Sequence, residues 1–267
     1  MANQTAWERI EIVRTQGRPI VPEYIDMIFE GFTELHGDRL YGDDSAVIGG
    51  IGTLAGKPVT VIGHVKGRNL AENKHANFAM AHPEGYRKAL RLAKQAEKFA
   101  RPVIFFIDTP GAFCGVEAEE RGQGEAIAKN LFELSQLKTP IVSVVLGEGG
   151  SGGALALGVC DELAVLENAV YSVISPRGFA SILWKDAARE REAANILRIT
   201  AEDMLRLGVC EHIIKEPEGG AHNNPQEAAK AIKNYLIHAL KNISQISLDS
   251  LLTNRYYKYR KIGVYTE

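Results

Sequence analysis

Gly147-Glu148-Gly149-Gly150-Ser151-Gly152-Gly153-Ala154-Leu155-Ala156-Leu157-Gly158 is the stretch around which the rest of the chain is organised. It follows an apolar run, residues 140–146, that reads as a fully buried strand. It leads into Ala154, Leu155, Ala156 and Leu157, small and apolar enough for a tightly packed helix. The intervening glycines present backbone rather than side chains, and glycine lets another group approach the main chain closely. A glycine turn that opens a helix leaves unpaired N–H groups at the positive end of the helix dipole. Such a turn suits an anion, or an oxygen that becomes one.

Three motifs fit the stretch and they disagree. Gly147-x-Gly149-x-x-Gly152 matches a dinucleotide fingerprint, with Glu167 about 20 residues on as a ribose acid. Gly149-x-Ser151-x-Gly153 matches the nucleophile elbow of serine hydrolases. The third reading is an oxyanion hole built from the amides around Gly152 and Gly153, with no nucleophile. Simple close packing of helix on strand is the bland alternative. A phosphate-cradling P-loop is excluded, because no Lys-Ser/Thr pair follows the glycines.

The neighbouring unit repeats the same grammar. Residues 102–107 read as a buried strand, Asp108 to Gly115 as a glycine-bearing turn, and residues 117–137 as a helix. Two successive strand–turn–helix units bring two backbone turns to one sheet edge, where open α/β sheets bind ligands. Upstream, Trp7, Ile10 and Val13 predict a short helix ending near Gly17. Pro22 opens a helix with Ile25, Ile28, Phe29, Phe32 and Leu35 inward, and no strand is expected before residue 46. Residues 46–54 and 58–65 read as a hairpin joined by Ala55-Gly56-Lys57. The polar segment 66–80, with Lys66, Arg68, Lys74 and His75, is either a solvated surface or a phosphate contact. Residues 83–99 predict a helix with Tyr86, Leu90, Ala93 and Phe99 inward and Arg87, Lys88, Arg91, Lys94 and Lys98 outward.

Downstream, residues 165–174 contain further strand, and Ser175-Pro176 caps a helix through Trp184. Thr200 with Asp203 forms a capping box, Gly208 ends that helix, and residues 209–214 return as strand. Residues 225–242 are an amphipathic helix, and Tyr256 to Arg260 read as a helix end or subunit contact rather than a nucleic-acid site. No linker interrupts the 267 residues, which read as one domain with a helical lead-in over 1–40. A net charge of −2 gives no electrostatic argument for nucleic acid or an acidic membrane. Cys114, Cys160 and Cys210 lack any CxxC spacing, so neither a disulfide framework nor a zinc site is expected. With no signal pattern and no apolar run near about 18 residues, the expected compartment is the cytoplasm.

These stretches together resemble the carboxyltransferase α subunits of bacterial acetyl-CoA carboxylases. The resemblance lies in ELHGDR (34–39), DDSAVIGGIG (43–52), HPEGYRKALRL (82–92), FIDTPGA (106–112) and AEERGQGEAIAKNL (118–131). It continues in GEGGSGGALALG (147–158), YSVISP (171–176), ASILWKD (180–186) and EPEGGAHNNP (216–225). The segment from Ile199 to Gly208 also resembles the wider crotonase superfamily. The fold implied is α/β, a crotonase-like (ClpP/crotonase) spiral of ββα units. Two positions depart from the family: Phe113-Cys114 stands for Tyr-Pro, and Arg177 stands where Glu usually follows Ser-Pro.

The resemblance implies carboxyl transfer from carboxybiotin, held on a separate biotin carboxyl carrier protein, to acetyl-CoA, giving malonyl-CoA. It implies a carboxyltransferase β subunit in an α2β2 assembly, a biotin carboxylase that uses ATP, no metal in this chain and no membrane. The amides of Gly152 and Gly153, backed by the helix dipole at Ala154, would hold the biotin oxyanion. Gly111 and Ala112 would shape the biotin-side wall beside Gly149 and Gly150, with Lys66 and Arg68 near the CoA phosphates. A side chain at 153 would then enter the approach path of biotin. Glu119, Glu120 and Arg121 read as an ion-pair network and Glu148 as a support of the turn. His64, His82 and His222 read first as structural histidines, then as ligands or bases. The competing class is a serine hydrolase using Ser151, with His212 and Asp161 as its partners, and a non-catalytic scaffold is the third reading.

Overall fold

The computed structural model describes residues 4–263. The apolar runs form strands β2 (Val47–Leu54), β3 (Lys57–His64), β4 (Val103–Thr109), β5 (Ile141–Gly150), β6 (Glu162–Leu166) and β8 (His212–Ile214). β2 and β3 pair antiparallel through the two-residue turn Ala55-Gly56, both left-handed at φ 48 and 78. That is the twist a tight hairpin requires. From β3 onward the order β3-β4-β5-β6-β8 is parallel. β7 (Val170–Ser172) adds beside the end of β5, pairing Glu148 to Gly150 where β6 has already stopped at Val145. One edge of β5 therefore carries two strands in succession, and the sheet branches at the glycine stretch.

The helix expected through Leu35 ends at Ile28, and Glu30–Glu34 is a strand, β1, antiparallel to β2. Gly31 at φ 59 breaks the helical path. The Phe32 ring lies over Gly50, where any side chain would collide with it. Its i+3 spacing imitated a helix, while bare backbone on β2 attracted the ring into a sheet. The opposite face of β2 takes Leu92 against Gly49. Alternation across the strands thus sets the helix Pro83–Lys98 on one face and Val21–Ile28, which packs Val21 on Gly63, on the other.

Other boundaries moved for local reasons. The helix expected over 117–137 is two, Val116–Glu120 and Gln123–Ser135, separated by Gly122 at φ 82. In the helix Pro83–Lys98, Tyr86, Leu90 and Ala93 are buried as expected. Phe99 is instead 58% exposed beyond the last turn. Lys88, expected outward, is fully buried, its Nζ on Asp43 at 2.5 Å and on the Asp44 carbonyl at 2.8 Å. The loop before β2 folds over that helix face and supplies the acids. The strand expected over 165–174 is the pair β6 and β7. The tail forms the helix Leu248–Arg260, and its Arg255 is buried on Asp161 and the carbonyls of Leu134, Leu137 and Thr139. No helix of the described residues is long and apolar enough to cross a membrane.

Candidate active site

The two glycine-bearing turns stand in backbone contact. Gly150 lies against the Pro110 carbonyl, and Gly149 lies under the Tyr171 ring, so neither position has room for a side chain. A Cβ on Gly153 would sit 2.6 Å from the Ala112 nitrogen and 2.7 Å from the Gly111 carbonyl carbon. The side chain expected to enter the biotin path would therefore strike the neighbouring turn instead. Its direction is inward, which corrects that expectation. At Gly152 the same construction meets only Ile127 at 3.7 Å, ordinary contact. Gly111 adopts φ 150 and its N–H rests on Thr109 Oγ1 at 3.1 Å.

β5 ends at Gly150 and the helix Ser151–Leu155 begins with no side-chain cap. Among the described groups, none accepts from the N–H of Ala112, Gly152 or Gly153. Ala154 is fully buried behind them. The helix spans only five residues, so these local N–H groups matter more than a macrodipole. A cleft lined by Arg14, Pro110, Gly150, Ser151, Ile174 and Pro176 opens onto the turn.

A second cleft shares Arg14, Pro110 and Glu148 with the first and is lined by Lys66 and Arg68. Lys66 Nζ lies 2.6 Å from Asp108 Oδ1 and 3.4 Å from Glu148 Oε2, and Arg14 Nη2 lies 2.6 Å from Glu148 Oε1. Asp108 Oδ1 also accepts the Glu148 N–H at 2.9 Å, tying the ends of β4 and β5 together. Burial pulls the Lys66 pKa down, but Asp108 and Glu148 outweigh it and hold the ammonium above its ordinary value. Burial works to raise Glu148, and Lys66 with Arg14 overcomes it and holds that carboxyl below the usual range. Arg68 stands one layer out, with Nε on Glu23 at 2.6 Å and Nη1 on the Arg18 carbonyl at 2.8 Å.

Gly147 and Gly149 lie inside β5 rather than in a turn after it, and Glu167 is bound to Lys215 at 2.6 Å. The dinucleotide reading fails on both counts. The elbow reading finds its backbone: Ser151 is exposed, follows a strand and has φ 49. It lacks partners, because Asp161 is held by Arg255 and His212 stacks on Tyr235 at 5.0 Å. His64 is fully buried, and burial followed by the charge of Lys66 pushes it down to about 3, leaving it neutral. His82 stacks on Phe113 at 4.6 Å. His222 lies against Gly220, its Nδ1 buried without a partner among the described residues. Arg121 pairs with Glu84 at 2.8 Å, not with the exposed Glu119 and Glu120.

Sequence reasoning passed over Arg14, Asp108 and the support they give the turn. A lone acid closing the apolar run 103–107 was the available signal for Asp108; Arg14 carried none. The described residues hold no group of three His, Cys, Asp or Glu side chains placed to bind a metal.

The chain matches the family model described as acetyl co-enzyme A carboxylase carboxyltransferase-like over residues 1–263. A Clostridium botulinum protein named acetyl-coenzyme A carboxylase carboxyl transferase subunit alpha is 62% identical over 96% of this chain and 94% of its own length. A Clostridium tetani protein named for subunits beta/alpha is 56% identical over 97% of this chain, which spans 45% of that longer protein. Among solved structures, a transcarboxylase 12S chain superposes with a TM-score of 0.71 at 17% identity, over 89% of this chain and 45% of that one. With 62% identity to one member and a family match from end to end of the described residues, the chain belongs to the acetyl-CoA carboxylase carboxyltransferase family.

Proposed function

We propose that this chain is the alpha-type subunit of acetyl-CoA carboxylase carboxyltransferase, moving a carboxyl group from carboxybiotin to acetyl-CoA and giving malonyl-CoA, the start of fatty acid synthesis. The observation that carries the reading is the pair of abutting turns, whose Ala112, Gly152 and Gly153 amides have no partner among the described groups. Carboxybiotin supplies the carboxyl group and leaves behind an oxygen bearing negative charge, and amide donors without protein acceptors fit that oxygen. The Gly152 and Gly153 N–H groups hold it, with Ala154 packing the turn from behind. Gly111 and Ala112 form the facing wall, and Gly149 and Gly150 keep the backbones close enough for both turns to reach one ligand. Lys66, Arg14 and Arg68 line the second cleft and face the CoA phosphates, each with a carboxylate partner behind it: Asp108 and Glu148 for Lys66, Glu148 for Arg14 and Glu23 for Arg68.

The other half of the site lies on a β subunit. The fused beta/alpha name of the Clostridium tetani relative supports this, as do the exposed apolar side chains of Val173, and of Ile182 and Leu183 on the helix that Ser175 caps. The carrier protein and an ATP-using biotin carboxylase complete the assembly, which works in the cytoplasm as α2β2 carboxyltransferase units. The test replaces the Gly153 amide by an ester in the assembled enzyme, removing one donor and adding no atom. Transfer from free carboxybiotin should fall by about 10²–10³ while the complex stays assembled. Unchanged transfer would reduce the turn to packing. Ser151→Ala run alongside should retain transfer, and loss there would restore the hydrolase reading.

A further inference from the structure

Tyr86 lies where Gly153 would carry a side chain. Its hydroxyl is 3.0 Å from the position of a Cβ on Gly153, beside the Ala112 nitrogen and the Gly111 carbonyl carbon that crowd the same point. The side chain is fully buried, and its hydroxyl has no hydrogen-bond partner among the described residues. A phenylalanine would fill the same volume without burying an unpaired polar group, which costs stability. The hydroxyl therefore contributes nothing to folding that the ring does not.

We propose that the Tyr86 hydroxyl is a positioning group of the carboxyltransferase site, a buried donor behind Gly153 that turns toward the anion held by the glycine amides. The inference rests on the function proposed above and deepens it. The helix Pro83–Lys98 fixes the ring, while the hydroxyl hydrogen stays free to rotate. The amides of the turn are fixed by backbone geometry and cannot respond when charge appears. A rotor in a site shielded from water can, and its dipole acts at low dielectric. Burial also pushes the phenol pKa far up, so the group stays a donor at every working pH. The hydroxyl does not touch the substrate; it acts through the turn that does.

The experiment compares Tyr86→Phe with the parent in the assembled enzyme, using free carboxybiotin and acetyl-CoA. Turnover should fall roughly 10-fold to 100-fold, the scale of supporting groups around a site. KM for both substrates should hold, and the variant should unfold no earlier than the parent. Placing 3-fluorotyrosine at 86 restores a hydroxyl and should restore turnover. Full turnover in Tyr86→Phe, or no recovery with 3-fluorotyrosine, overturns the proposal. The Gly153 ester run in parallel separates the two claims. If the ester loses transfer and Tyr86→Phe does not, only the tyrosine role falls; if neither loses it, the function of the turn falls as well.

Discussion

Two helices begin on the same cleft and begin differently. At Ser175 the hydroxyl accepts the Gly178 N–H at 3.1 Å and Pro176 removes another donor, so the start of Pro176–Trp184 is closed by its own chain. At Ser151 no side chain caps the start, φ is 49, and the glycine amides remain open. A serine stands near the end of a strand in both places, yet only one start is capped by a side chain. What separates them is the support behind each. The capped start stands on its own side chain, whereas the open start is held by Asp108, Glu148 and the abutting turn at Pro110–Ala112.

The sharpest way to break this contrast is to remove the support of the open start. Asp108→Ala takes away both the acceptor of the Glu148 N–H and the nearest partner of Lys66. Leaving a mostly buried ammonium short of its partner should cost about 3–5 kcal/mol in urea unfolding. The pH profile carries a signature. Lys66 is raised when folded, so its stabilisation is present below its ordinary value of 10.5 and lost as pH climbs through the raised one. Glu148 is lowered, so its share is present above 4.5 and lost as pH falls through the depressed value. Between those limits these two groups contribute a constant share, while buried, neutral His64 makes total stability fall as pH drops below its ordinary value of 6.5. Asp108→Ala should bring the alkaline fall to lower pH. An unchanged alkaline limb would mean the Lys66 pair does not support the turn.

Removing the cap is the smaller, opposite experiment. Ser175→Ala should cost about 1 kcal/mol in unfolding and leave carboxyl transfer within a few-fold of the parent. The contrast would collapse if transfer fell as it should in the Gly153 ester, because the capped start would then be part of the chemistry.

Much of this contrast was legible in the sequence. Ser175-Pro176 announces a capped start, and GEGGSGG after an apolar run announces an open one. The repeated strand–turn–helix grammar even placed the two glycine turns side by side. What lay beyond reach was direction and partnership. Position 153 has no room for a side chain because Gly111 and Ala112 occupy the space it would fill, and nothing near 153 in the chain records it. Lys88 looked like surface because Asp43 and Asp44, 45 and 44 residues away, fold over it. Phe32 looked helical because the glycines that receive it belong to another strand. Local preference is written locally, whereas charges and rings take their meaning from partners that only the fold supplies.

The finest test lies at Arg177, in the first turn of the capped helix and exposed. A cation there opposes the partial positive charge of the helix start, and no salt bridge joins it to a described acid. Arg177→Glu should therefore stabilise the chain by about 0.3–1 kcal/mol at low ionic strength. Added salt should shrink the gain, since the group is solvent-facing. Combined with Ser175→Ala the gain should persist, because a charge near the first turn acts without a hydrogen bond to the cap. Transfer in the isolated pair of α and β subunits should not change, for Arg177 is not among the residues that line the cleft at Gly150 and Ser151. If Arg177→Glu instead lowers transfer at full stability, the capped helix presents its first turn to a partner or substrate. The two helix starts would then share the work that the open one is assigned alone.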